Sequence, residues 1–428
     1  MENQALQLKT LAVALSIVSF SAQAASFSLS GDYRFGANLF QNLDVSAGQR
    51  PGTGDTTAFI DNRFRLRPDV IVDDRFSIRS ELVALVLGGA SPVTGPQAAG
   101  SPLDSQSHVL NGRSAVDLRR VWLEWASDWG IFRAGRMPKT WGLGVLYHPG
   151  NDVADDFGTT VDRLGFQAML GNLGLNLGYE KEAEGSVNDE GDDAETYEIS
   201  LDYSNPESLF DVGLLFARRV RNVGAKTVLG LDDQNDLSIF ARRRFGAFQL
   251  GGEFVTVSEE GKNSTQGVLA QIDYMPGAWR FNTDLAFASG NSTGSFRFHP
   301  NYRPLMLLYR QSIGPAAPAS EWRGGVAGVP VGSAIGGGSG AVLNTWGMAY
   351  DFVNTKISLG MDIGYGLLAN KGTAAGKLLG VETDIYMDQH WYENFKTNVG
   401  LGLLFPGAGF GAASQTAWGF QVRGALSF

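Results

Sequence analysis

The clearest pattern in the chain is an alternation with a period of two. Between Gln415 and Phe428, Trp418, Phe420, Val422, Leu426 and Phe428 fall on one side. Gly419, Gln421, Arg423, Ala425 and Ser427 fall on the other. This period marks a β-strand with one apolar and one polar face. It recurs along the chain: Phe64, Leu66 and Val70 oppose Arg63, Arg65, Arg67 and Asp69. Phe76, Ile78 and Leu82 oppose Arg75, Arg79 and Glu81. Ile357, Leu359, Met361, Ile363, Tyr365 and Leu367 oppose Ser358, Gly360, Asp362, Gly364 and Gly366. Around 113–126 the phase changes at Arg119-Arg120, as one inserted bulge residue would make it do.

Read this way, the chain holds eighteen strands from near Phe27 to Phe428, with sixteen as the alternative count. The connections have their own rhythm. Tight turns at Asp73-Asp74, Gly171-Asn172, Gly246, Pro276-Gly277 and Val353-Asn354 alternate with long irregular segments such as 88–111, 138–160 and 290–340. An even strand number with short turns at one end and long loops at the other predicts an all-β protein. It is a single transmembrane antiparallel β-barrel, with short periplasmic turns and long extracellular loops. Phe395 and Phe405 share a face ten residues apart. At ~3.3 Å per residue and a tilt of ~40°, they are separated by about 25 Å of height, the spacing of two aromatic girdles. The closing strand also resembles that of bacterial outer-membrane barrels, whose final Phe belongs to the signal read by the barrel-insertion machinery. That resemblance implies the machinery as a partner acting through Phe428. The competing reading is a C-terminal edge strand of a soluble sandwich, which has no reason to repeat both rhythms eighteen times.

Composition sharpens this picture. Lys9 precedes an uncharged run from Leu11 to Phe20 and then Ala22-Gln23-Ala24. These are the parts of a secretory signal peptide, too short to span a bilayer. The expected division is a signal peptide over 1–24 and one barrel over 25–428. No later run offers ~20 apolar residues, so transmembrane helices are excluded. With 0 cysteines, disulfides and cysteine-based metal or nucleophile chemistry are excluded as well. A net charge of −10 argues against nucleic acid. The expected surroundings are outer-membrane lipid and lipopolysaccharide, and a homo-oligomer is compatible with them.

If the apolar faces meet lipid, parity sends the charged faces into a lumen. The selectivity candidates are Arg63, Arg65, Arg67, Arg75, Arg79, Arg119, Arg219, Arg221, Arg242 and Arg244. The last third is acidic, with Asp362, Glu382, Asp384 and Asp388. Guanidinium groups keep their charge and take carboxylate or phosphate oxygens in pairs, so a ladder of them would concentrate anions. The other reading pairs them with interleaved acids as braces across the wall.

The stretch from Ala134-Gly135-Arg136-Met137-Pro138-Lys139-Thr140-Trp141-Gly142-Leu143-Gly144 to Thr160-Val161-Asp162-Arg163 is the most distinctive. It resembles porin-like proteins of the alginate-export group and related barrels, in which a Gly-Arg strand end leads through a Gly-rich loop to an Asp-Arg strand start. The resemblance implies an eighteen-stranded barrel exporting an anionic polysaccharide through an arginine-lined lumen. It makes Arg136, Asp162 and Arg163 candidates for a constriction. A loop-anchoring ion pair is the alternative for these three. The 290–340 segment, with Phe296, Phe298, His299 and Tyr302, can fold inward as a gate, cap the barrel or contact a neighbouring subunit.

An enzyme is the competing class. The four histidines all fall in loops or turns, and Gly290-Asn291-Ser292-Thr293-Gly294 lacks the strand–turn–helix elbow that a nucleophile motif needs. No catalytic residue, cofactor or metal is expected. The sequence therefore predicts an outer-membrane channel for small polar or anionic solutes. The alternative is a closed or plugged barrel with a structural, adhesion or surface-recognition role.

Overall fold

The computed structural model describes residues 25–42, 56–88, 116–155, 157–183, 194–221, 233–290, 296–299, 301–302, 304–308, 339–372, 376–410 and 415–428. The expected signal peptide and residues 89–111 of the expected 88–111 loop lie outside the described residues. So does most of the 290–340 segment.

Eighteen strands follow one another: β1 (Ser26–Gln41), β2 (Thr56–Ile71), β3 (Phe76–Gly88), β4 (Val116–Ser127), β5 (Gly130–Pro138) and β6 (Thr160–Leu170). Next come β7 (Leu173–Ala183), β8 (Ala194–Asn205), β9 (Phe210–Arg221), β10 (Gln234–Phe245), β11 (Phe248–Glu259) and β12 (Thr265–Tyr274). The set ends with β13 (Trp279–Ala288), β14 (Ser339–Phe352), β15 (Ile357–Asn370), β16 (Leu378–His390), β17 (Phe395–Pro406) and β18 (Ala417–Ser427). Each pairs antiparallel with its neighbours in sequence, and β1 pairs with β18, from Asp32 opposite Ser427 to Gln41 opposite Trp418. The sheet is therefore a closed barrel without an edge, as spanning a bilayer with strands requires. Eighteen strands, not sixteen, is the count.

The alternation read from the sequence becomes an outer and an inner face. Phe166, Leu177, Ile199, Phe216 and Leu237 lie in one cross-strand row, and Leu177, Ile199 and Phe216 are exposed. In water such a surface would be an aggregation hazard, whereas in hydrocarbon it is the solvated face. Stacked aromatics ring the turn end: Phe76 on Trp125, Trp125 on Phe132, and Phe248 on Tyr274.

The short turns carry the chemistry that tight reversals need. Gly171 and Gly246 adopt φ of 61° and 56°, where a Cβ would be strained. Asp73 Oδ1 accepts the N–H groups of Arg75 and Phe76 at 2.8 and 2.7 Å. The register shifts between Glu81 and Leu82, opposite Arg119, so the phase change in strand four is a real bulge. It turns Arg119 and Arg120 both inward.

The buried apolar cluster is not between layers but inside the barrel, towards the long-loop end. Phe296, Phe298, Leu305, Leu307 and Leu308 pack there on Val255, Leu269, Leu343 and Leu404 of the wall. A barrel of this size has an interior that side chains alone do not fill. Inward-folded loops supply the rest.

Ile199 lies on the lipid face of β8, between Tyr197 and Tyr203. Ile199→Arg is expected to destabilise the barrel by about 2–4 kcal/mol in vesicles, the cost of a cation near the bilayer midplane. Urea titration followed by tryptophan fluorescence measures it, and an unchanged midpoint would contradict the assignment of faces.

Candidate functional site: the narrowed channel interior

The loop between β5 and β6, residues 139–159, does not stay outside. It crosses the lumen as a strap, touching the β7–β11 wall on the way out and the β1–β4 wall on the way back. Its main chain has no ladder, so each buried carbonyl and N–H needs another partner.

On the β1–β4 side the partners are arginines. Arg65 donates to the carbonyls of Gly150 at 2.7 Å and Asp152 at 2.6 Å. Arg63 donates to Val153 at 2.8 Å and also to Asp155, and Arg34 donates to Ala154 at 3.1 Å. Arg119 reaches the carbonyl of Gly158 at 3.1 Å, and Arg120 reaches that of Pro149. Period two on adjacent strands places these forks side by side, pointing inward at successive residues of the strap.

The arginines would repel one another without counter-charge. Asp32 supplies it from β1, within 2.9 Å of Arg65, 3.0 Å of Arg67 and 3.7 Å of Arg63. Glu81 does the same on β3, 3.0 Å from Arg67 and 3.5 Å from Arg119. Arg65 is 0% exposed and Asp32 2%, so these pairs are desolvated. Isolated, either charge would be prohibitive.

On the far side the strap is pinned by Lys139, between Glu180 at 2.9 Å and Glu198 at 2.7 Å. Arg163 bridges the same two acids at 3.0 and 2.8 Å. Burial alone would discharge Lys139, but Glu180 and Glu198 outweigh it and hold the ammonium above its ordinary range. Tyr147 donates to Asp236 at 3.0 Å and accepts from Arg219 at 2.7 Å. Burial pushes the Tyr147 hydroxyl up, so it stays protonated. Trp141 Nε1 donates to Ser238 at 2.9 Å, and Glu253 accepts the Leu143 N–H at 2.6 Å.

A second inward segment, within 296–308, is held by the acidic wall. The N–H groups of Leu307 and Leu308 reach Glu382 at 2.6 and 2.5 Å, and that of Met306 reaches Asp384 at 2.8 Å. The two segments meet where His299 N–H donates to the Val145 carbonyl at 2.8 Å and Phe157 N–H donates to Asn301 at 3.1 Å.

The predicted lumen arginines thus fall into four groups. Arg63, Arg65, Arg67, Arg119 and Arg219 hold or border the strap. Arg79 and Arg242 sit nearer the turn end, 3.3 Å from Glu124 and 2.8 Å from Asp211, with side chains 46% and 48% exposed. Arg221 is buried at the loop end of β9. Arg75 is not on the wall but in the turn before β3, 3.2 Å from Asp128 in the next turn. Arg244 lies beside the Gly246 turn, donating to its carbonyl at 3.3 Å.

The constriction candidates separate. Arg163 faces inward. Arg136 and Asp162 form a 2.7 Å pair, but register puts them in line with Phe132, Leu164 and Phe166. They therefore sit on the outer face at the loop end, because the alternation of β5 and β6 carries through to their last residues. The residues that sequence reasoning passed over are Asp32, Arg34, Arg120, Lys139, Tyr147, Glu180 and Glu198. Asp32, Arg34 and Glu180 have inward parity on their strands, but nothing local marked the strap as their partner.

A closed eighteen-stranded barrel with a lipid-compatible outer face and charged, loop-narrowed interior defines an integral outer-membrane barrel. The chain belongs to the Gram-negative porin family, whose model matches residues 10–303. It is accordingly an outer-membrane channel for small solutes, a class of channel rather than enzyme. No curated protein matches the sequence. Among solved structures, the outer membrane protein OpdK of Pseudomonas aeruginosa is similar at 12% identity, with 94% of this chain and 99% of that one covered and a TM-score of 0.56. OccK9 (OpdG) of the same species gives 13%, 94%, 99% and 0.56. OccAB4 of Acinetobacter baumannii gives 10%, 95%, 100% and 0.55. At these identities the likeness is one of fold. The match does not support the narrower resemblance to the alginate-export group.

Lys139→Ala leaves Glu180 and Glu198 buried with only Arg163 between them. The expected cost is about 3–5 kcal/mol, that of an uncompensated buried charge. Urea titration in vesicles would show it, and a loss below 1 kcal/mol would mean that Arg163 suffices.

Proposed function

We propose that this porin is a narrow channel for small polar or anionic solutes, with its bore set by the strap and the second inward segment. The observation that carries the reading is the strap itself, stretched between two walls by buried charge pairs. A wide, unobstructed pore is not compatible with that arrangement. Support for anions comes from Arg79, Arg133 and Arg242, which stay partly exposed on the turn side of the strap. Each shares a carboxylate but keeps further N–H donors for a passing oxyanion. Arg63, Arg65 and Arg67 contribute field more than contact, since the strap occupies their forks.

Export through a signal peptide over 1–24 belongs to the same reading. So does recognition of Phe428 by the insertion machinery, with lipopolysaccharide against the outer face. A second reading, a closed barrel serving surface recognition, is favoured by one observation. The apolar cluster of Phe296, Phe298, Leu305, Leu307 and Leu308 fills the lumen beside β12–β17.

Planar bilayers separate the two. Discrete small conductance steps are expected, and their absence would favour the closed barrel. Arg65→Ala should release the strap and enlarge the steps. If step size stays the same, the strap does not set the bore. In a salt gradient, Arg79→Ser with Arg133→Ser should move the reversal potential towards zero, and an unmoved potential would reduce both residues to wall braces.

A further inference from the structure

We propose that the junction between the two inward segments is a proton-binding site that widens the channel on acidification. This rests on the reading that both segments bound the bore. Its core is His148 of the strap with His299 and Asn301 of the second segment.

The hydrogen bonds dictate the protonation state. Phe157 N–H donates to Asn301 Oδ1 at 3.1 Å, which orients that amide. Its Nδ2–H group is then directed at His148 Nδ1, 2.9 Å away. Gly150 N–H donates to the same nitrogen at 3.1 Å, and Asn301 N–H donates to His299 Nδ1 at 3.2 Å. An imidazole nitrogen accepts only when it carries no proton, so both rings must be neutral with hydrogen on Nε2. The ring centroids are 5.6 Å apart and His299 is buried. Two imidazolium groups at that distance would repel each other.

An alternative partner for the protonated form is already in place. Asp155 Oδ2 lies 3.9 Å from His148 Nδ1, beyond hydrogen-bond reach, and accepts only the Asp152 N–H while that nitrogen is bare, which leaves it a lone pair for an imidazolium. Once protonated, His148 loses Asn301 and Gly150 and gains Asp155. A bond between the segments is exchanged for one within the strap. The charge change thus acts on the contact that ties the segments together.

Other groups face the same region. Asp155 also accepts the Asp152 N–H at 2.7 Å. Arg34, Arg63 and Arg120 hold neighbouring carbonyls and stay charged throughout. From the walls, Glu253 holds Leu143, Asp284 accepts from Tyr302 at 3.4 Å, and Glu382 and Asp384 hold 306–308. These acids tie a segment to the wall rather than the two segments to each other, and they are the rival sensors.

The test is single-channel conductance of the full-length protein from about pH 8 to about pH 5, the range in which imidazole changes charge. Wild type should pass from a low-conductance to a higher-conductance state on acidification, and Glu253→Gln should do the same. His148→Asn, whose Oδ1 accepts in place of Nδ1 and takes up no proton, should lose the transition and keep the low state. A transition that survives in His148→Asn, or a wild type with constant steps, overturns the proposal. Nitrogen-15 spectra of histidine-labelled wild type give a reading independent of any variant. His148 and His299 should show a bare Nδ1 at the alkaline end and a protonated one at the acid end, and a Nδ1-protonated tautomer at the alkaline end overturns it. Absence of conductance at every pH would instead remove the channel reading, with the spectra still deciding the junction.

Discussion

A chain folded into a barrel's interior has the difficulty that its carbonyls leave water without entering a ladder. Everything in the lumen of this porin follows from how that is met. A buried unsatisfied carbonyl costs about 1–3 kcal/mol, and a hydrogen bond from a charged donor contributes about 1.5–3. One fork can serve two carbonyls, as Arg65 does for Gly150 and Asp152. Guanidinium groups are thus the economical donors, and the carboxylates of Asp32 and Glu81 are needed because so many cations stand together. The opposite wall solves the mirror problem. There the free groups are N–H, and Glu382 and Asp384 accept them.

This accounts for the lopsided charge of the lumen without appeal to solute. One wall receives carbonyls and is basic; the other receives N–H groups and is acidic. The charge these anchors leave over lies chiefly at Arg79, Arg133 and Arg242, whose side chains are partly exposed. Parity alone could not separate the arginines that hold the strap from those left partly exposed; register and hydrogen bonding do.

The barrel was legible because a period-2 pattern is a local property, and eighteen repetitions of it leave little freedom. The same locality explains the bulge at Arg119-Arg120, whose phase change is visible within a few residues. The strap was not legible. Residues 139–159 lack a period, and their partners lie far along the chain, at Arg34, Arg65 and Ser238. Arg136 and Asp162 misled because a charged pair at a loop root looks like a constriction until register shows which face it occupies. Lys139 carried no local mark of burial, since its two acids come from β7 and β8.

The seam between β1 and β18 has a bearing on assembly. Gly31 and Phe428 exchange main-chain hydrogen bonds at 2.9 and 3.0 Å, one residue from Asp32. Asp32 is the anion shared by Arg63, Arg65 and Arg67, and those arginines seat the strap. Asp32 meets Arg65 directly across the β1–β2 pairing, so the anion of this cluster stands on the strand that also closes the cylinder. Sealing the cylinder thus fixes the main chain on one side of the anion that the strap-holding arginines share, and β2 fixes it on the other.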